Sequence, residues 1–212
     1  LQDELNAFTR HFQERAAELS QIRHSAAARL STAVEQELQR LGMPGGRLSI
    51  QLPATDSSNP HPAGLEHVEF LVSANPGQPL KALSKVASGG ELSRISLAIQ
   101  VITAQTSRVP TLVFDEVDVG IGGSTAEVVG QLLRQLGEHG QVLTVTHLPQ
   151  VAAQGHQQLF VHKVRGTSET RTAVSLLDES GRIEEIARML GGVDLTEESL
   201  AHARKLVAIA NH

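Results

Sequence analysis

Two short apolar runs place the tightest limit on how this chain can fold. Thr111 to Phe114 and Val142 to Thr146 each have the length and composition of a strand, and Ser124 to Leu136 between them has helical spacing. Strand, helix and strand in that order call for a right-handed crossover between parallel strands. An unbroken apolar run is also what a parallel strand covered on both faces requires, so burial on both faces is expected for Thr111–Phe114. Parallel strands offer their functional side chains beyond their C-terminal ends. Those ends carry Asp115 with Glu116, and His147.

A glycine loop precedes these strands. Lys81 to Arg94 reads KALSKVASGGELSR, with Ser88-Gly89-Gly90-Glu91 where a loop meets the helical segment Leu92 to Ile102. The spacing assigns Leu92, Ile95, Ile99 and Ile102 to the buried face of that helix. Two glycines let a ligand approach the backbone, and free N–H groups at a helix start favour an anion such as phosphate. Ser followed three residues later by Glu is equally a capping box, which any helix can use. At the strand ends, Asp115 suits Mg²⁺ held through water, because Mg²⁺ dehydrates reluctantly. Glu116 suits a group that orients or deprotonates an attacking water, and His147 one that hydrogen-bonds a terminal phosphate. Taken singly, an Asp-Glu pair is a solvated edge and a lone His is structural. Their occurrence together, after a glycine loop, favours the chemical reading.

Elsewhere the pattern is plain. Leu1 to Leu41 carries an apolar stripe in steps of three and four with no Gly or Pro, a helix of roughly 60 Å at 1.5 Å per residue. Its near-heptad stripe suggests a coiled-coil arm over residues 1–42, with an ordinary core helix as the alternative. Gly42-Met43-Pro44-Gly45-Gly46 ends it, and residues 43–212 form the remaining domain. Arg47–Leu52 and His67–Val72 alternate as a hairpin around a Pro-rich surface loop, Pro53–Gly64. Leu159–Val164 and Thr172–Leu177 suggest a second hairpin around Gly166, and helices follow at Ile183–Leu190 and Glu197–Ala210, the latter capped by Thr196. A net charge of −5 with 2% aromatics, all Phe, argues against a base-stacking nucleic-acid module, although Arg outnumbers Lys 14 to 4. The absence of Cys excludes disulfides and zinc–thiolate sites, and no apolar run is long enough for a membrane span. The chain opens on Leu1 inside a helical pattern, as a piece of a longer protein would.

SGGELSR resembles the signature motif of ABC-type ATPases, TLVFDE their Walker B strand, and TVTH the strand and switch His. SGGE followed by DEVD is similar to the SMC-like branch, which carries coiled-coil arms. FLVSANPGQPLKALSKVASGGELSR, FDEVDVGIGG, THLPQVAA and EEIARMLGG together resemble the RecN family of bacterial DNA double-strand-break repair ATPases, and the likeness covers nearly the whole chain. It implies an α/β fold: the C-terminal lobe of an ABC/SMC-type ATPase head, a parallel-sheet core with flanking helices and β-hairpins, behind an N-terminal coiled-coil helix. It implies that Ser88, Gly89, Gly90 and Glu91 form the loop that meets the γ-phosphate of ATP held by a second head. Asp115 would then serve Mg²⁺, Glu116 would be the catalytic base, and His147 the phosphate-sensing switch. Implied partners are an N-terminal lobe of the same protein, a second head in an ATP-sandwich homodimer, and DNA, in a cytoplasmic, nucleoid-associated setting with no membrane. Two positions depart from the pattern. Ala87 stands where many ABC proteins have Leu, and Gly122 where SMC-type D-loops carry Asp, which leaves Asp118 out of register with a role undefined.

A Walker A loop needs Gly-Lys-Ser/Thr, and the four lysines, Lys81, Lys85, Lys163 and Lys205, never follow a glycine. The chain therefore holds half of a composite site and is expected to be inactive by itself. Gly120-Ile121-Gly122-Gly123 is a poor dinucleotide fingerprint, since its third glycine would fall at Thr125. The competing readings are an interaction module of a coiled-coil protein with a decayed nucleotide site, and a transporter's nucleotide domain, which the long arm helix counts against.

Overall fold

The structure is a computed structural model that describes residues 1–55, 60–86, 88–104, 109–165, 170–192 and 195–210. The turn expected at Gly166 and the departure at Ala87 lie outside the described residues. The chain divides into two compact units, Leu1–Ile102 and Thr103–His212.

The first unit is built on α1, Gln2–Arg40, a helix of 39 residues. Its apolar stripe is exposed at Leu1, Leu5 and Phe8, yet Ala16, Val34, Leu38 and, just past the helix, Leu41 are buried. The buried end packs on β1 (Arg47–Gln51), which pairs antiparallel with β2 (Glu69–Ser73), which in turn pairs with the short β3 (Lys81–Ala82). Alternation fixes the register: Leu48 opposite Val72 turns both residues into the core, where they are 3% exposed. The Pro-rich loop is tied down at both ends. Thr55 N–H donates to the Leu65 carbonyl at 2.8 Å, and the α1 side chain Arg23 donates to the Ala63 carbonyl at 2.7 Å and pairs with Glu66 at 3.6 Å. A 3-10 turn at Leu83–Lys85 leads toward α2, Gly89–Thr103.

Burial along α2 corrects the expected face. Ile95 is fully buried, but Leu97 and Ala98 join it, while Leu92 and Ile102 stay exposed. This helix is apolar on more than one side, so its spacing does not single out one buried stripe.

In the second unit β4 (Thr111–Phe114) and β5 (Gln141–Thr144) pair in parallel, Phe114 beside Thr144, with α3 (Gly123–Gly137) as the crossover. Val145 N–H extends the ladder to the Phe114 carbonyl at 3.0 Å. One face of this pair is covered: Phe114 is buried and α3 packs against β5. The other is open, with Val113 and Val145 67% and 63% exposed, so the expected burial of β4 on both faces is not met within the unit. An apolar run states what a strand can bury; a covering layer must be supplied separately.

Helix α3 approaches α4 (Pro149–Ala152) closely at Gly130, where a Cβ would stand 2.7 Å from Cγ of Gln154. That contact explains a glycine in mid-helix. Helices α5 (Glu179–Gly191) and α6 (Glu197–Ala210) close a small core of Ala153, Ile186, Ala187, Ala203 and Val207. Asp178 caps α5 by accepting from Gly181 N–H at 2.8 Å, and Thr196 Oγ1 caps α6 by accepting from Ser199 N–H at 3.1 Å. Strands β6 (Leu159–Arg165) and β7 (Thr170–Leu176) form the second expected hairpin, with Leu159, Val161, Val174 and Leu176 exposed on one face.

Candidate functional site

In the first unit, Ser88 stands immediately before α2. Its carbonyl accepts Leu92 N–H at 3.0 Å, and its Oγ accepts Glu91 N–H at a long 3.4 Å, so the local geometry is that of a helix cap. Ser88 and Gly89 are exposed and Gly90 is buried. Four residues on, Arg94 is buried in the unit. Burial pulls its guanidinium below the ordinary value, and Glu91, one turn earlier, pushes it back up.

In the second unit, Asp115 and Glu116 follow directly on β4 and both are exposed. Glu116 has φ of 59°, the one positive φ outside glycine among the described residues. A side chain there costs about 1–3 kcal/mol, and glycine would avoid most of it. The turn it opens is closed by Val119 N–H on the Glu116 carbonyl at 3.2 Å and Ile121 N–H on the Asp118 carbonyl at 3.4 Å. Gly120 and Gly123 take φ of 76° and 54° in the same loop, so the sequence has glycine at two left-handed positions and glutamate at the third.

The turn carries Asp118 inward, to 2% exposure. Its Oδ2 accepts from Thr146 Oγ1 at 2.5 Å and from His147 N–H at 3.2 Å, and lies 3.5 Å from Nδ1 of the His147 ring. Thr146 Oγ1 in turn accepts Leu148 N–H at 3.1 Å, which fixes the segment between β5 and α4. Parallel pairing of β4 with β5 is what brings these residues together from 28 and 29 positions apart. The sequence reading placed Asp115, Glu116 and His147 at strand ends; Asp115 and Glu116 do follow β4, but β5 stops at Thr144, three residues short of His147, and the reading did not find Thr146 or the contact of Asp118 with His147. No local spacing marked Asp118 as buried, because its contacts with Thr146 and His147 depend on the register of β4 against β5.

Behind this cluster, α4 is held by two arginines. Arg182 donates to the carbonyls of Ala153 at 2.6 Å and Gly155 at 2.5 Å, and Arg134 to that of Gln154 at 2.8 Å. Burial draws the Arg182 guanidinium down from its ordinary value, with nearby Arg134 acting the same way, while the carbonyl end of α4 holds both cations.

The donor set suits a weakly held hard cation. Asp115 and Glu116 are exposed carboxylates at the end of β4, and no group of three metal-ligating side chains occurs among the described residues. Mg²⁺ on a nucleotide uses few protein carboxylates and keeps its waters, so the residues fit it. Among the described residues, no helix is long and apolar enough to cross a membrane.

The architecture is that of an SMC-type head. The chain superposes on the Smc head domain with an extended coiled coil from Pyrococcus furiosus, solved bound to the C-terminal domain of ScpA, with a TM-score of 0.55 and 18% identity over 88% of this chain and 44% of that one. The Smc head with a coiled coil and joint from Pyrococcus yayanosii gives the same TM-score of 0.55, covering 87% of this chain and 34% of that one. The sequence narrows the class. The chain is 54% identical over 202 residues to the DNA repair protein RecN of Xylella fastidiosa strain Temecula1 and 50% identical over 210 residues to that of Vibrio cholerae. It is 36% identical over 224 aligned positions to RecN of Bacillus subtilis. No family model matches it. The chain is a RecN homologue along nearly all of its length, and it spans 36% to 39% of the length of these relatives.

Proposed function

We propose that this chain is the C-terminal part of an SMC-like ATPase that acts in DNA double-strand-break repair, and that it supplies one half of a composite ATP site. The observation that carries this reading is Glu116. A glutamate held at φ 59° directly after a parallel strand, where glycine would be cheaper, is retained for its carboxylate. Glu116 is the general base that orients and deprotonates the attacking water. Asp115 would hold Mg²⁺ through water; the bound cation neutralises charge on the phosphates. His147 meets the terminal phosphate. Ser88, Gly89 and Gly90 offer a hydroxyl and backbone N–H groups to the γ-phosphate bound by a second head, and Glu91 continues the cap of α2.

Two observations support an absent complementary lobe carrying Walker A. No lysine follows a glycine, and the uncovered apolar face at Val113, Leu143 and Val145 is unusual for a parallel pair. The remaining length of the RecN relatives provides the covering layer. On this reading α1 is the end of a coiled-coil arm, whose free stripe at Leu1, Leu5 and Phe8 meets a partner helix. DNA is the substrate that head dimerisation serves, and the protein works in the bacterial cytoplasm on the nucleoid.

The test uses complete heads. Glu116→Gln should bind ATP, fail to hydrolyse it and accumulate as an ATP-bound dimer. Ser88→Arg places a bulky cation where the partner's γ-phosphate sits, so the double variant should bind ATP yet sediment as a monomer. A double variant that dimerises as readily as Glu116→Gln alone reduces the Ser88 loop to a helix cap. Unchanged hydrolysis by Glu116→Gln would instead favour an interaction module with a decayed site. Calorimetry on the chain alone should detect no tight Mg-ATP binding, since the N–H nest and Lys that hold the β- and γ-phosphates are elsewhere.

A further inference from the structure

We propose that Asp118 is a positioning residue for His147, fixing its ring and its tautomer so that Nε2 is the atom offered to phosphate; this rests on the reading of His147 as the phosphate contact. The His147 side chain is 69% exposed, so packing alone does not hold the ring. Its fixed points are its own backbone N–H on Asp118 Oδ2 at 3.2 Å and Nδ1 at 3.5 Å from the same oxygen. Asp118 is itself immobilised. It is 2% exposed, and Thr146 Oγ1 donates to Oδ2 at 2.5 Å while accepting Leu148 N–H at 3.1 Å. The hydroxyl proton is thus committed to the carboxylate and the hydroxyl lone pair to the backbone.

An ionised carboxylate only accepts hydrogen bonds. The ring nitrogen that faces it, Nδ1, must therefore carry a proton, which leaves Nε2 outward. A phosphate oxygen is also only an acceptor. A contact with it through Nε2 therefore needs a proton on that nitrogen too, taken from solvent, so that the ring bridges the Asp118 carboxylate and the phosphate. Asp118 is well placed for this because His147 is the basic side chain within ion-pair distance of it among the described residues. The turn that begins at the strained Glu116 thus does two things. It presents one carboxylate to solvent and sends the next one inward to hold the histidine that follows the neighbouring strand.

Complete heads carrying His147→Gln, Asp118→Asn and both changes separate this role from a structural one. Asparagine keeps the shape of Asp118 and an oxygen to accept from Thr146 Oγ1 and His147 N–H, but removes the negative charge that faces Nδ1. Asp118→Asn should lower kcat about 10–100-fold, the usual loss when a functional histidine loses its carboxylate partner, with ATP affinity unchanged. Added to His147→Gln, it should cost nothing more, because its effect passes through the ring. Losses that multiply in the double variant would make Asp118 a fold residue and overturn the proposal. Full activity of Asp118→Asn beside an impaired His147→Gln would overturn this inference alone; full activity of His147→Gln would remove the reading beneath it. Should Asp118→Asn not fold, ¹⁵N spectra of histidine in the unaltered head decide: protonated Nδ1 at His147 is expected, and a neutral ring protonated at Nε2 refutes the proposal.

Discussion

The turn entering α2 at Ser88 and the turn leaving β4 at Glu116 are built on different principles. The first is assembled within five residues, from Ser88 to Leu92, by bonds that any helix start makes. The second needs β4 and β5 to pair in register before Asp118 can meet Thr146 and His147, and it keeps a non-glycine residue at φ 59°. A relaxed, local turn is compatible with function but does not argue for it. A turn that stores strain and buries a carboxylate argues for function, because folding alone would have selected a cheaper residue.

The largest expected effect breaks the second turn chemically without touching its backbone. Glu116→Gln in a complete head should reduce steady-state ATP hydrolysis about 10²–10⁴-fold, the loss typical of a removed general base. Its thermal midpoint should match that of the unaltered head, since glutamine takes φ 59° no more readily than glutamate. A fall in stability alongside activity would mean that the carboxylate serves the fold.

The next effect undermines the same turn from behind. Arg182→Met keeps length and apolar bulk but leaves the carbonyls of Ala153 and Gly155 without their cationic donor. Bonds to a charged donor are worth about 1.5–3 kcal/mol, so urea unfolding should show a loss on the order of 2–3 kcal/mol. Hydrogen exchange should quicken in α4 and at Thr146–Leu148 and leave the start of α2 unchanged. Equal quickening at Ser88–Leu92 would show that the two turns are not independent.

These contrasts explain what was legible in the sequence. Period-two alternation dictated the β1–β2 hairpin, and the strand–helix–strand order dictated the β4–α3–β5 crossover, because in both a local pattern suffices. The stripe of α1 gave its length, and SGGE gave the start of α2. The buried face of α2 was not legible, since Leu97 is as apolar as Leu92 and Ile102 yet only Leu97 is buried. Nor was the open face of β4, which depends on what lies opposite Val113. The bond from Thr146 to Asp118 depends on strand register, and no residue type announces a left-handed glutamate.

Placing glycine at both turns gives the finest comparison. Glu116→Gly removes a Cβ from the left-handed region, which relieves about 1–2 kcal/mol, against about 0.5–1 kcal/mol of added chain entropy on unfolding. The net gain should be up to about 1.5 kcal/mol, seen as a higher urea midpoint in a head that no longer hydrolyses ATP. Ser88→Gly acts with the opposite sign. Glycine keeps the N-cap backbone and loses only a long 3.4 Å side-chain bond, so the cost should be a few tenths of a kcal/mol. Both changes are measured in the same complete head by the same urea titration, so a gain at one turn and a slight loss at the other is the expected result. A loss at Glu116→Gly would mean that the φ of 59° is not strained in its surroundings. The stored cost at that turn would then vanish, and with it the reason to prefer Glu116 over any other exposed carboxylate of the chain as the catalytic base.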